Sequence, residues 1–212
     1  HYVATTFASI QYFEHIDFSQ CRTVLNGGIW LGSELPLLFA VLPEDAVVHN
    51  IDPCGHDHLS SYVYPSFRRF RDRCPQHRLA LANHTGTIDL EMMPDGQASS
   101  TSEATEIAPA ANSFPCTTVD EFVRQNALSN VDLIKFDLEG GETDAVEGMR
   151  ETVRKFRPQL AISIYHRLTD YWELPITLME MCTDYDFHLG HYSFERFETV
   201  FYCIPRELKH DV

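Results

Sequence analysis

The stretch Val131–Gly148, read VDLIKFDLEGGETDAVEG, limits what this chain can fold into more than any other segment. Its apolar run, Val131 to Phe136, ends abruptly in Asp137-Leu138-Glu139-Gly140-Gly141-Glu142, and a helical pattern follows. Such a run reads as a buried strand, and its carboxyl end delivers carboxylates into the loop before a helix. In open α/β sheets, ligands bind outside those carboxyl ends. The segment is expected to form one wall of an active site.

The rest of the chain supplies partners for that strand. Thr23-Val24-Leu25 is a β-branched run entering Asn26-Gly27-Gly28-Ile29-Trp30-Leu31-Gly32-Ser33-Glu34, and Leu35 to Leu42 continues as an apolar helix with Pro36 in its first turn. Strand, glycine loop and helix together turn backbone N–H groups toward a ligand. Ala46 to Ile51 is a second strand, ending in Asp52, which lies 24 residues beyond Gly28. An acid there can accept hydrogen bonds from both ribose hydroxyls of a nucleoside. Leu59 to Arg73 is read as a helix whose arginines form a solvated face. Arg78 to Ala82 is taken as the third strand, running into Asn83-His84-Thr85-Gly86, with Thr87 to Met92 as a short excursion strand.

Pro94 to Pro115 is rich in Ser, Ala, Thr and Pro and is read as a long surface loop, either a cover over the site or a variable insertion. Thr118, with Glu121 three residues later, has the spacing of a capping box for a helix over Val119 to Leu128. Ala145 to Phe156 is a helix closed by Arg157-Pro158. Leu160 to Ile164 is a fifth strand ending in Tyr165-His166, Tyr171 to Cys182 a helix, and Phe187 to Tyr192 with Thr199 to Ile204 a closing antiparallel pair. The alternation predicts an α/β fold, a doubly wound and mainly parallel sheet with an antiparallel terminal strand at its edge.

At 212 residues the chain is expected to be one domain, with residues 1–20 as a leading segment. Lys and Arg number 16 against 31 Asp and Glu, a formal charge of −15, which repels phosphate backbones and argues against a nucleic-acid partner. Six scattered cysteines without a C-x-x-C pair fit reduced thiols in a cytoplasmic protein. No apolar run reaches the length of a membrane span, so no membrane partner is expected. A chain starting on His1 suggests processing or an excised domain.

Leu133-Ile134-Lys135-Phe136-Asp137-Leu138-Glu139-Gly140-Gly141-Glu142 resembles the signature "lIKiDvEGaE" of the FkbM-type methyltransferases, and Val146-Glu147-Gly148 and Arg157-Pro158 match its continuation. Ser163-Ile164-Tyr165-His166, His191-Tyr192-Ser193 and Glu198-Thr199-Val200 are similar to a subgroup of that family. The resemblance implies a Rossmann-like class I methyltransferase sheet that uses S-adenosylmethionine. It places Gly27, Gly28 and Gly32 in the first cofactor motif, with Trp30 and Ser33 in the same loop, Asp52 on the ribose, and Asn83 near the adenine. Two positions depart from the pattern: Asn26 stands where the motif opens with Asp, and Asp52-Pro53 replaces Glu-Pro. An Asn can still bond the cofactor's amino group through its carbonyl oxygen, without the charge-assisted contact.

Methyl transfer from a sulfonium is an in-line displacement, so the protein must mainly orient the acceptor and remove its proton. The candidate catalytic groups are Asp137, Tyr165 and His166. His166 is expected as general base because an ordinary imidazole pKa suits proton uptake near neutrality. Asp137 is expected to orient the acceptor or hold the cofactor's amino end. A divalent metal on Asp137, Glu139 and His166 is a weaker alternative, since no dedicated ligand spacing is present. Glu142 is read as helix-end electrostatics. Trp30 either packs on the cofactor or fills the gap between loop and sheet, the second being preferred, and His56 and His58 are read as solvent-exposed. His188 and His191 reach the acceptor only if the terminal hairpin borders the cleft.

The predicted function is O-methylation of a small-molecule hydroxyl, as on a sugar or glycosylated metabolite, by a chain that can form a homo-oligomer. The alternatives are an N-methyltransferase and a non-catalytic nucleoside-binding module. A nicotinamide-dependent oxidoreductase is disfavoured by the Gly28-x-x-x-Gly32 spacing.

Overall fold

A computed structural model describes residues 11–29, 32, 34–54, 70–92, 98–99, 112–195 and 197–208. Its centre is a seven-stranded sheet built from β1 (Thr23–Gly27), β2 (Val47–Ile51), β3 (Gln76–His77), β8 (Leu133–Phe136), β9 (Gln159–Ser163), β10 (Tyr185–His191) and β11 (Thr199–Pro205). Their order across the sheet is β10-β11-β9-β8-β1-β2-β3. The pairs β1–β2, β1–β8, β2–β3 and β8–β9 are parallel. Every residue of β8 and β9 is buried, as expected of strands covered on both faces.

One apolar cluster packs Leu25, Ile134, Phe136, Leu160 and Ile162 against α2 (Val119–Gln125), α3 (Glu142–Glu147), α4 (Arg150–Phe156) and α5 (Asp170–Met181). A second, on the opposite face, gathers Val24, Val48, Leu133 and Ala161 with α1 (Leu35–Val41). Thr118 caps α2 as its spacing predicts, its side chain accepting from the Glu121 N–H. The sheet is therefore mainly parallel and doubly wound.

Three details differ from the sequence reading. The antiparallel strand β11 is not outermost. It lies between β9 and β10, pairing antiparallel with both, so the edge is β10, which runs with the parallel strands.

The third strand of the main sheet is not Arg78 to Ala82 but the two-residue β3. Ala80–Leu81 forms β4 of a separate four-stranded sheet, ordered β4-β7-β5-β6, with β5 Gly86–Met92, β6 Ala98–Ser99 and β7 Asn112–Thr117. The end of the presumed surface loop thus contributes a strand, and Cys116 packs with Ala80, Ala82 and Leu90 in its own small core. Two residues of β-branched or apolar character cannot reveal which sheet a short strand will join; pairing partners decide that.

Finally, the helix expected over Ala145 to Phe156 is two helices. Gly148 sits at the break, where a Cβ would lie 2.4 Å from the Ala82 carbonyl oxygen, so only glycine allows the chains to approach there. Arg157 then closes α4 in a left-handed conformation, before Pro158.

Of the presumed arginine helix, residues 55–69 lie outside the described residues. Arg73 is not a solvated cation. It donates to the carbonyls of Pro43 and Glu44 and stands over the Phe39 and Phe70 rings. The six cysteines are free thiols, five of them buried. No described helix is long and apolar enough to cross a membrane.

Candidate active site

The parallel register brings four strand ends to one edge. Gly27 lies opposite Ile51 of β2 and Phe136 of β8, and Phe136 lies opposite Ile162 of β9. Gly28, Asp52, Asp137 and Tyr165-His166, each just beyond those residues, share the carboxyl edge of the sheet.

On the β1–β2 side, polar groups are tied to backbone and to neighbouring side chains. Gly28 has a φ of 72° and donates its N–H to the Ile51 carbonyl at 3.0 Å. A Cβ on Gly28 would stand 1.6 Å from the Asp137 carbonyl oxygen, so the glycine loop and the acidic loop touch at this point. Gly32 has a φ of 65° and its N–H closes a tight turn onto Ile29. Asp52, 9% exposed, accepts from the Ile29 N–H at 3.1 Å and the Cys54 N–H at 2.9 Å. Asn26 is fully buried. Its Nδ2 donates to Glu34 at 3.0 Å and Asn50 at 2.9 Å, and its Oδ1 has no partner.

Asn26, Gly27, Gly28, Gly32 and Asp52 thus lie together around the carboxyl ends of β1 and β2. Trp30, Ser33, His56 and His58 lie outside the described residues. Asn83 is placed differently: its amide nitrogen is given to Asp144 of α3 at 3.0 Å, with Glu147 at 3.5 Å. It follows β4 into the small sheet rather than the end of a main-sheet strand.

The β8–β9 side concentrates charge. Tyr165 donates its hydroxyl to Asp137 Oδ1 at 3.0 Å. The His166 side chain is 6% exposed and is ringed by three carboxylates. Its Nδ1 lies 2.9 Å from Glu142 Oε1, and its Nε2 lies 3.4 Å from Asp137 Oδ1 and 3.5 Å from Glu139 Oε2. Nδ1 and Glu142 are within hydrogen-bonding distance, but among the described residues neither ring nitrogen has a well-aligned hydrogen-bond partner. Asp137, Glu142 and His166 each offer a donor atom within 4.8 Å of the other two.

Burial disfavours the charged ring, but Glu142 foremost, then Asp137 and Glu139, outweigh it and push His166 up to about 10. The ordinary imidazole pKa expected for a general base therefore does not hold. Left without another cation nearby, the ring is protonated at neutral pH. For Asp137, burial also opposes charge, yet Lys135, His166 and the hydroxyls of Tyr12 and Tyr165 hold it below the usual carboxylate range. Burial and the Asp137 charge drive the Tyr165 phenol far above its usual value, so it stays neutral and keeps its proton for Asp137.

Glu142 does more than favour a helix end. It opens α3 fully buried, and its carboxylate turns back to accept from the Leu138 N–H at 2.5 Å and the Gly140 N–H at 3.0 Å. The acidic loop is thereby wrapped around it. Glu139 is held at a φ of +50°, and Ser99 Oγ donates to its carbonyl at 3.1 Å.

Three contributors escaped the sequence reading. Lys135, buried in β8, donates to the Gly28 carbonyl at 2.7 Å and faces the Tyr12 ring. A lysine inside an otherwise apolar strand is a signal that was available. Tyr12 bonds Ser163 at 2.9 Å from the leading segment, where no pattern marked it. Glu198, at the turn of the β10–β11 hairpin, is bonded by Gln11, and burial together with Asp137 raises its pKa.

The hairpin does border the site, through Glu198 and through Phe197, whose ring meets Tyr165 edge-on at 6.2 Å. His188 and His191 are engaged elsewhere, by His15 and Thr199. At the opposite rim the small sheet touches both halves: Met92 of β5 meets Cys54 sulfur to sulfur at 3.9 Å, and Ser99 of β6 bonds Glu139.

Comparison with known proteins gives this arrangement a family. The methyltransferase FkbM domain model matches residues 44–189. The chain belongs to the FkbM methyltransferase family. A search of curated proteins found no match. Among solved structures, the FkbM methyltransferase of Methylobacillus flagellatus KT superposes with a TM-score of 0.69 at 23% identity, over 92% of this chain and 47% of that one. This chain spans about half the length of that protein. Aeropyrum pernix fibrillarin, solved with natively bound S-adenosyl-L-methionine, gives a TM-score of 0.54 at 12% identity over 96% of this chain and 74% of its own. A putative rRNA-methylase from Clostridium thermocellum gives 0.53 at 8% identity, over 95% and 92%. The fold is that of the class I methyltransferases, and as an FkbM member the domain is an S-adenosylmethionine-dependent methyltransferase.

Proposed function

We propose that this domain methylates a hydroxyl oxygen of a small molecule, and that a sugar or glycosylated metabolite is the acceptor class. The observation that carries the reading is the junction at Gly28 and Asp137, where a glycine loop with a ribose-type acid abuts a cluster of three carboxylates, an imidazole and a phenol.

The β1–β2 half fits the donor. Two N–H groups fix the Asp52 carboxylate at the sheet edge, where an acid suits ribose hydroxyls. The buried Asn26 Oδ1 is an acceptor for which no donor stands among the described residues. When bound, the donor supplies a methyl group carried on a cationic sulfur, and the anionic cluster favours that charge.

Asp137 is the group that orients the acceptor hydroxyl: it stays ionised, and Tyr165 fixes one of its oxygens. The acceptor's proton goes to the Asp137–His166 pair, whose carboxylate and ring nitrogen stand 3.4 Å apart. A positive charge brought beside the pair lowers its pKa and so frees the imidazole of its resting proton before the acceptor's proton arrives. The same anionic cluster also attracts a protonated amine, which keeps N-methylation as the alternative.

The formal charge of −15 supports a small acceptor over RNA, the substrate class named for the Clostridium neighbour. Titration calorimetry with S-adenosylmethionine, S-adenosylhomocysteine and NAD, followed by transfer from methyl-labelled donor to a panel of glycosides and amines, tests the reading. Binding of both sulfur nucleosides and label on a hydroxyl are expected. Binding of neither nucleoside sinks the methyltransferase assignment, and label on nitrogen alone replaces O- by N-methylation.

A further inference from the structure

The environment of His166 Nε2 is not that of an ordinary hydrogen-bonded histidine. The ring is buried, and this nitrogen is aimed between Asp137 Oδ1 at 3.4 Å and Glu139 Oε2 at 3.5 Å. Both separations exceed a good N–H···O distance of about 2.7–3.2 Å, and Nε2 has no hydrogen-bond partner. They do match the spacing of two donors that each stand about 2.0–2.2 Å from one shared ion, which is about 3.0–3.5 Å at ordinary ligand angles.

On the far side of the ring, Nδ1 faces the buried Glu142 at 2.9 Å. Both Glu142 oxygens already accept loop N–H groups, so Glu142 is placed behind the imidazole. A carboxylate behind one ring nitrogen, with the other facing oxygen donors, is the arrangement that orients metal-bound histidines. The protein also holds Glu139 in a left-handed backbone conformation that disfavours any residue but glycine, and ties its carbonyl to Ser99.

We propose that His166 Nε2, Asp137 and Glu139 bind one divalent cation of the Mn²⁺ class, with Glu142 positioning the imidazole, and that the ion takes an oxygen of the methyl acceptor. Two carboxylates and one imidazole suit Mn²⁺ better than Ca²⁺, which seeks six to eight oxygens. Three protein ligands leave positions for acceptor hydroxyls, and a vicinal diol can fill two of them. With the ion bound, His166 Nε2 is a ligand and not the base, and the acceptor's proton is left to the carboxylate oxygens that do not face the ion. This part rests on the O-methylation reading; the ion's binding does not.

The test is a Mn²⁺ titration of the chelator-stripped protein, with free Mn²⁺ followed by electron paramagnetic resonance, in the absence of donor. One bound Mn²⁺ per chain is expected, weakened at least about tenfold by Glu139→Gln and by His166→Ala. Glu139→Gln changes a partly exposed side chain, so circular dichroism should match the parent and separate lost ligation from lost folding. Mn²⁺ that stays free up to millimolar concentration overturns the proposal, as does binding equal in parent and Glu139→Gln. S-adenosylhomocysteine binding, measured in parallel, separates the two claims. Nucleoside binding without Mn²⁺ binding removes the ion and leaves methyl transfer. Mn²⁺ binding without nucleoside binding removes methyl transfer and leaves the ion.

Discussion

At the ends of β1 and β2, Asp52 takes two backbone N–H groups and Asn26 gives its amide to Glu34 and Asn50, with only the Asn26 Oδ1 left unpartnered among the described residues. At the ends of β8 and β9, by contrast, three carboxylates surround one buried imidazole whose nitrogens lack aligned partners. Both halves grow from the same parallel sheet and meet where Gly28 abuts Asp137. The difference fits a division of labour. A half whose groups are already ordered suits holding a nucleoside, because little must move on binding. A half with concentrated, incompletely matched charge suits chemistry, because its interactions strengthen when charge arrives or moves.

The largest effect should come from the seam. Gly28→Val places a side chain into the Asp137 carbonyl at a φ of 72°, and should cost more than about 3 kcal/mol in urea denaturation. An unchanged midpoint would mean that the two loops are not in contact.

Next, His166→Ala should reduce turnover by roughly a thousandfold, about 4 kcal/mol, while S-adenosylhomocysteine affinity stays within about threefold. If affinity fell and turnover survived, the two halves would have been assigned the wrong way round. The converse change, Asp52→Ala, should weaken nucleoside binding about 10–100-fold, or about 1.4–2.8 kcal/mol, by removing the acceptor of the Ile29 and Cys54 N–H groups.

Acid should unsettle the β2 side in particular. Burial, reinforced by His77, lowers His49 to about 4 from an ordinary 6.5. Because the folded value is depressed, this stability is complete above about pH 6.5 and is lost as pH falls toward 4, in total about 1–2 kcal/mol for a partly buried ring. Thermal melts across that range should show it, and His49→Gln should flatten the slope. Smallest of all, Asn83→Ala should change nucleoside affinity by less than about twofold, since its amide is given to Asp144. A tenfold loss by calorimetry would restore it to the adenine side.

Much of this was legible in the chain because it depends on local chemistry. The buried run ending at Phe136, the glycines at 27, 28 and 32, the acid at 52 and the Thr118 cap each report a preference carried by a few neighbouring residues. What went astray had non-local causes. β4 left the main sheet because β7, whose Cys116–Thr117 lie 36 residues beyond their partners Ala80–Leu81, pairs with it. β11 entered between β9 and β10 because a hairpin can insert beside either strand with the same apolar pattern.

The site divides along the same line. Residue types at strand ends already named Asp52, Asp137, Tyr165 and His166, since ligands gather where parallel strands stop. Packing alone put Glu142 behind the imidazole, Glu139 in front of it, and Tyr12 and Glu198 beside Asp137 from opposite ends of the chain. The proton affinity of His166 followed from that packing: an imidazole's pKa is a property of the charges and the burial around it, and those are set by residues a linear reading does not bring together.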